Sequence, residues 1–154
     1  MTEVQNKISL EGKAEAEAEL RELAEERRPR ITAAIKAARE EGDLSENAEY
    51  HAAREEQGMN EARIRTLETL LATAEVAAPT SGDKVVVGST VSFRDEAEKV
   101  TEVTVVHRLE ADSSQGKLSA ESPVAQALIG GRKGQTVTVS TPKGKRRLEI
   151  LAVG

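Results

Sequence analysis

The hydrophobic pattern of the first half of the chain predicts two long α-helices. From Ser9 to Glu41, and again from about Ser45 to about Val76, one stripe of residues recurs at intervals of three and four. The first stripe comprises Leu20, Leu23, Ala24, Arg27, Ile31, Ala34, Ile35 and Ala38, and the second comprises Ala48, Ala52, Gln57, Ile64, Leu67, Leu71 and Ala74. Because only a few residues join the helices, we expect an antiparallel hairpin.

Three residues of the first helix predict where it begins, where it is interrupted and where it ends. Ser9 suits the N-cap of the first helix, because its hydroxyl can accept from a free N–H of the first turn. Pro29 lacks an N–H and predicts a kink or joint, although the stripe continues on both sides of it. Gly42 predicts the end of the first helix, where a positive φ is needed.

The second half of the chain changes to an alternating pattern rich in Val and Thr, which predicts strands. We expect strands at 85–93, 100–109, 117–120, 136–140 and 146–153, and one short helix from Val124 to Ile129 with Ser122 as its N-cap. The fold class is therefore α+β, with a helical hairpin over residues 1–78, a linker over 79–83 and a compact domain over 84–154.

Composition and charge exclude several classes of protein function. The 154 residues include only 1% aromatics, so the cores must be aliphatic, and the absence of cysteine excludes disulfides and thiol chemistry. Residues 1–80 carry a net charge of −7 and residues 81–154 one of +2, which together give −5. This is not the basic footprint of a chain that binds nucleic acid by itself. No stretch is apolar enough for a membrane span, and we expect a cytoplasmic protein.

The bend between the helices, residues 42–50, holds the candidate chemistry. Asp43 and Glu46 are three residues apart, which fits a capping box at the start of the second helix. Alternatively, two exposed carboxylates could serve as ligands for Mg²⁺, with further ligands from another molecule. His51 and His107 have no ligand-spaced partner and are expected to be surface or packing residues.

Several motifs resemble those of the Gre factor family of bacterial transcript-cleavage proteins. They are Glu26–Pro29, the long run Ala38–Tyr50, Ala52–Gln57 and Ala62–Ile64, followed in the second half by Glu121–Gly130 and Thr141–Gly144. They span nearly the whole chain in the family's order. The resemblance implies an antiparallel coiled coil followed by an FKBP-like domain. The segment between Asp83 and Lys117 is only loosely similar.

The resemblance also implies a function. A protein of this family binds bacterial RNA polymerase as a monomer, passes its coiled coil through the secondary channel, and stimulates cleavage of backtracked nascent RNA without being an enzyme itself. Asp43 and Glu46 would be the catalytic acids and would share Mg²⁺ with the polymerase. Ser45, Asn47 and Tyr50 would shape the tip, and Arg54 would lie near the RNA 3′ end. Ser122 and Pro123 would face the coiled coil at the channel rim.

Two other functions remain open at this point. One is a channel-binding regulator that inhibits without stimulating cleavage, although both tip acids are present. The other is a prolyl isomerase or chaperone, which would follow from fold analogy alone. The scarcity of aromatic residues disfavours an apolar prolyl pocket.

Overall fold

The computed structural model describes residues 6–77 and 82–154, which form two compact units. One unit is Ala14–Thr73, and the other combines the described residues up to Lys13 with those from Ala74 onwards. The contacts thus assign the first residues to the second unit, whereas the predicted boundary lies at residue 78. Most of the predicted linker, residues 79–81, lies outside the described residues.

The helical hairpin has the predicted antiparallel arrangement. Its first arm contains helix α1 (Leu10–Glu22), a π-helical turn (Leu23–Arg27) and helix α2 (Arg28–Arg39), and its second arm is helix α3 (Ala48–Thr73). Ion pairs between the arms join early residues to late ones, as in Glu19 with Arg63 at 2.7 Å and Arg28 with Glu61 at 2.8 Å.

The capping and joint predictions for the first arm are confirmed. The Ser9 hydroxyl accepts from the Gly12 N–H at 2.9 Å. Pro29 stands in the first turn of α2, immediately after the π-helical turn. A π turn contains one extra residue, which is a common way for a helix to continue past an interruption.

The buried seam of the hairpin agrees with each predicted stripe only in part. On the first arm Leu23, Ile31, Ile35 and Ala38 are buried, whereas Arg27 and Ala34 are exposed. On α3 the buried residues are Ala53, Asn60, Ile64, Leu67 and Leu70, whereas Ala52 is exposed and Leu71 is only half-buried. The prediction was wrong because alanines lie on several faces of α3, and because a polar residue, Asn60, occupies a seam position.

The second unit contains a five-stranded sheet in the order β5-β4-β3-β7-β6. Its strands are β3 (Thr90–Arg94), β4 (Val100–Val106), β5 (Lys117–Ser119), β6 (Thr136–Thr141) and β7 (Gly144–Val153). All pairs are antiparallel except β4 with β5. Helix α4 (Pro123–Leu128) contributes Ala125 and Leu128 to an aliphatic core with Val91, Val139 and Ile150. The predicted α+β class is confirmed.

The N-terminal segment forms part of this second unit. Strand β1 (Lys7–Ile8) pairs in parallel with β2 (Glu75–Val76). The His107 ring, predicted to lie within a strand, instead follows β4, where its Nδ1 accepts from the Leu109 N–H at 3.1 Å. Its Nε2 lies 3.3 Å from Asn6 Oδ1, and burial lowers the pKa of the ring. His107 is thus a packing residue, as expected. No helix in residues 6–77 and 82–154 is long and apolar enough to cross a membrane.

Candidate functional site

The bend between α2 and α3 is an ordered exposed turn. Helix α2 ends at Arg39, and the Gly42 N–H donates weakly to the Arg39 carbonyl at 3.4 Å. Gly42 has φ +119°, a conformation in which a side chain would be strained, so glycine is required here as predicted. A single 3₁₀ turn, Leu44–Glu46, follows before α3 begins.

Asp43 is held by the residue two positions ahead of it. Its Oδ1 accepts from the Ser45 N–H at 3.0 Å and from the Ser45 hydroxyl at 2.8 Å. These two bonds stabilise the charged form and lower the pKa of the Asp43 carboxyl, so it is ionised at neutral pH. Both bonds use Oδ1, which leaves Oδ2 available at the surface.

Glu46 differs from the capping-box prediction. Its side chain is exposed and makes no hydrogen bond or ion pair within the part of the chain that the structure describes. The prediction that Asp43 and Glu46 cap α3 was wrong, because the 3₁₀ turn places both acids before the helix. Asp43 caps that turn instead, and the Glu46 carboxylate extends into solvent.

Asn47 performs the capping that was assigned to the acids. Its Oδ1 accepts from the Tyr50 N–H at 3.0 Å, as an N-cap residue does. Its Nδ2 donates to the Ala38 carbonyl on α2 at 2.7 Å, across nine residues. One side chain therefore begins α3 and also fastens it to the end of α2, which supports the predicted role of Asn47 in shaping the tip.

Aromatic and basic side chains surround the base of the bend. Tyr50 packs against the cluster of Ile31, Ile35 and Ala53. The Arg39 guanidinium lies 5.8 Å from the centre of the Tyr50 ring, within the range of a cation–π contact. The exposed His51 ring meets Tyr50 edge-on at 5.5 Å.

Arg54 lies on a groove of about 470 Å³ between α2 and α3, together with Lys36 and Arg39. Of these three cations, only Arg54 was predicted from the sequence. The two α2 cations are three residues apart and so share a helix face, but only the packing of the arms places that face beside Arg54.

The metal-binding capacity of the bend is limited. Asp43 and Glu46 supply oxygen ligands of the kind that Mg²⁺ prefers. However, no group of three or more His, Asp or Glu side chains within residues 6–77 and 82–154 could hold a metal ion. The two carboxylates therefore fit part of a coordination shell, and a complete shell would need ligands from a second molecule.

Ser122 and Pro123 lie in the second unit and begin α4. The Ser122 hydroxyl accepts from the Ala125 N–H at 3.2 Å and donates to the Ser119 carbonyl at 2.8 Å. Pro123 occupies the first turn, where its missing N–H is not needed. The predicted cap is confirmed. Because the Ser122 hydroxyl both donates and accepts a hydrogen bond, Ser122 and Pro123 would present a rigid surface where the loop meets the helix.

Comparisons with known proteins give one consistent assignment. Residues 6–76 match the family described as "Transcription elongation factor, N-terminal", and residues 79–154 match "Transcription elongation factor, GreA/GreB, C-term". The chain is 49% identical to the transcription elongation factor GreA of Thioalkalivibrio sulfidiphilus, over 95% of each chain. It is 48% identical to that of Mesorhizobium japonicum, over 96% of this chain and 98% of the relative.

A solved structure, the GreA factor homolog 1 protein of Thermus thermophilus, is 30% identical over 97% of this chain and 99% of its own, with a TM-score of 0.46. The two family matches together account for nearly all of the chain, in the order of its hairpin and its sheet domain. The protein is therefore a member of the GreA/GreB family of transcription elongation factors.

Proposed function

We propose that this protein binds bacterial RNA polymerase and stimulates cleavage of backtracked nascent RNA, which rescues arrested complexes. The observation that carries the proposal is the bend itself. An ordered turn presents two carboxylates, of which Asp43 keeps Oδ2 available and Glu46 is unpaired among the described residues. Membership of the GreA/GreB family supplies the class of process.

The bend would complete an active site that belongs to the polymerase. Asp43 and Glu46 would supply part of the ligand shell of a Mg²⁺ ion shared with the polymerase. In two-metal sites the paired ions stabilise the attacking and leaving oxygens of a phosphoryl displacement. This chain would act by bringing its acids to the right place. The bonds from Ser45 keep Asp43 ionised and fix its orientation, so that little reorganisation is needed when the site forms.

The basic side chains that line the groove between α2 and α3 would bind the RNA rather than the metal. Three basic side chains, Lys36, Arg39 and Arg54, line the groove together with one acid, Glu40, so positive charge is in excess there. Phosphodiester groups are recognised by such cations, and a nascent RNA 3′ segment displaced from the active centre would carry them. Ser122 and Pro123 would contact the rim of the secondary channel, through which the hairpin would reach the active centre.

The test is transcript shortening in stalled elongation complexes, with Asp43→Asn and Glu46→Gln compared with Glu41→Gln. Asparagine at position 43 can still accept from Ser45, so the turn is preserved and only the charge changes. Glu41→Gln removes one charge from an exposed side chain immediately before the bend. We expect the first two variants to lose at least tenfold of the added cleavage and the control to keep it.

Absence of added cleavage with the unmodified protein would refute the proposal. Full activity of Asp43→Asn and Glu46→Gln would refute the assignment of the acids. A factor that only slowed transcription would point instead to inhibition by occupying the channel.

A further inference from the structure

Asn60 is a buried polar side chain in the middle of the hairpin seam. It is 4% exposed, and its Nδ2 donates to the Leu23 carbonyl of the opposite arm at 3.2 Å. Its Oδ1 is buried and has no hydrogen-bond partner within the described residues. An unpaired buried acceptor lowers stability, so an apolar side chain of similar size would be more stable here. A polar residue that lowers stability at a helix seam is suited to fixing register.

The carbonyl that Asn60 binds marks the π-helical turn. The Arg28 N–H donates to the same Leu23 oxygen, five residues back instead of the four of an α-helix. Pro29 follows at once and has no N–H to offer. Asn60 is therefore bonded to the one place on the first arm where an extra residue enters the helix.

The spacing of the buried seam positions shows what the extra residue does. One position of the seven-residue repeat is buried along both arms: Ala16, Leu23, Ile31 and Ala38 on the first arm, and Ala53, Asn60 and Leu67 on α3. Ile35, Ile64 and Leu70 are buried at other positions of the repeat. Along the first set every interval is seven residues, except for the eight residues from Leu23 to Ile31. Across the seam, Leu23 is bonded to Asn60, while Ile31 and Ile35 lie in one cluster with Ala53. The eight-residue interval from Leu23 to Ile31 on the first arm thus runs beside the seven-residue interval from Ala53 to Asn60 on α3.

The π turn must stay opposite this interval for both halves of the seam to remain buried. If its extra residue moved along the first arm, the residues in between would rotate by about 100° and shift by about 1.5 Å. Burial of the aliphatic side chains opposes such a rotation, but alanine and aliphatic contacts are not directional and can repack. The hydrogen bond from α3 to the turn adds a directional contact that is specific to one residue of the first arm.

We propose that Asn60 is a positioning residue, which holds α3 in register with the π turn and thereby sets the position of Asp43 and Glu46 at the tip. The bond from Asn47 to the Ala38 carbonyl is the second fixed point, at the end of the arms. The consequence for cleavage rests on the proposed function, whereas the consequence for register does not.

The test measures register in the free protein. The chain has no cysteine, so two introduced cysteines can carry the only spin labels. Ala33→Cys with Ala52→Cys reports the half near the tip, and Ala18→Cys with Ala62→Cys reports the half near the base; all four sites are exposed. The variants are Asn60→Leu and Asn60→Ala, both of which remove the hydrogen bond to the Leu23 carbonyl. Leu67→Met is the control, since it repacks the same seam while conserving volume.

We expect each pair to give one narrow distance distribution in the unmodified protein and in Leu67→Met. In both Asn60 variants at least one pair should shift by about 1.5 Å or split into two populations. Asn60→Leu should change the distances without lowering the melting temperature. If Asn60 only stabilised the hairpin, a variant with an unchanged melting temperature would keep its distances. At saturating factor, cleavage by Asn60→Leu should fall about tenfold or more, because a displacement of ~1 Å at reacting groups can cost 10²-fold.

Unchanged distances in both Asn60 variants would overturn the proposal. Altered distances with full cleavage would overturn the positioning of the tip acids. Absence of cleavage with the unmodified protein would count against the proposed function, while the distance measurements would still decide the role of Asn60 in register.

Discussion

Replacing Asn47 by alanine should loosen the tip of the hairpin. The change removes the N-cap of α3 and the bond to the Ala38 carbonyl at 2.7 Å. Loss of an N-cap costs about 0.5–2 kcal/mol, and loss of one further hydrogen bond about 0.5–1.5 kcal/mol. The free energy of unfolding should therefore fall by about 1–3.5 kcal/mol. For a chain of this length that corresponds to a melting temperature lower by roughly 2–14 °C.

Asn47→Asp separates the two contributions. An aspartate keeps the acceptor for the Tyr50 N–H but cannot donate to the Ala38 carbonyl, so we expect it to lose only the second part. Circular dichroism at 222 nm during heating measures both variants, since the helical signal comes mainly from the hairpin. Melting of Asn47→Ala within 1 °C of the unmodified protein, or equal loss in Asn47→Asp and Asn47→Ala, would refute the assignment of two separate bonds.

Further predictions concern the bend and two glycines. Ser45→Ala should raise the pKa of Asp43 towards its ordinary value, because it removes the bond from the hydroxyl; a ¹³C NMR titration of the carboxyl measures this, and an unchanged pKa would contradict the geometry. Since the pKa is lowered in the folded protein, the contribution of this turn is complete above the ordinary value of 3.8 and is lost as the pH falls below it. Gly58→Ala should raise the free energy of unfolding by about 0.5–1 kcal/mol, because nothing lies within 4 Å of the added Cβ in this helix interior. Gly12→Ala should lower the free energy of unfolding, because its Cβ would meet the Glu110 carboxylate, which is buried and held by the His107 N–H. Chemical denaturation compares the two variants, and similar effects would contradict the packing.

Features that depend on near neighbours in the chain could be predicted from the sequence. Ser9 and Ser122 cap their helices as expected, and Gly42 has the positive φ that ends the first arm. In each case the required partner lies within a few residues, so the local sequence contains the whole interaction. The same holds for the two predicted arms and for the strands of the second half in outline, whose periodicity follows from one helix or strand at a time. Two strand bounds were wrong, because the predicted strand 85–93 begins only at Thr90 and the predicted strand 100–109 ends at Val106.

The sequence by itself thus determined that this protein has a helical hairpin with two acids at its bend, followed by a small α+β domain. The capping-box prediction assigned the start of α3 to Asp43 and Glu46, whereas Asn47 caps α3 and also bonds the Ala38 carbonyl on the other arm, a contact that only the tertiary structure brings together. Tertiary structure also decided that Asn60 lies in the seam beside a π turn, and that Lys36 and Arg39 join Arg54 on one groove. These features depend on the register between two arms, because residues up to 37 positions apart must meet.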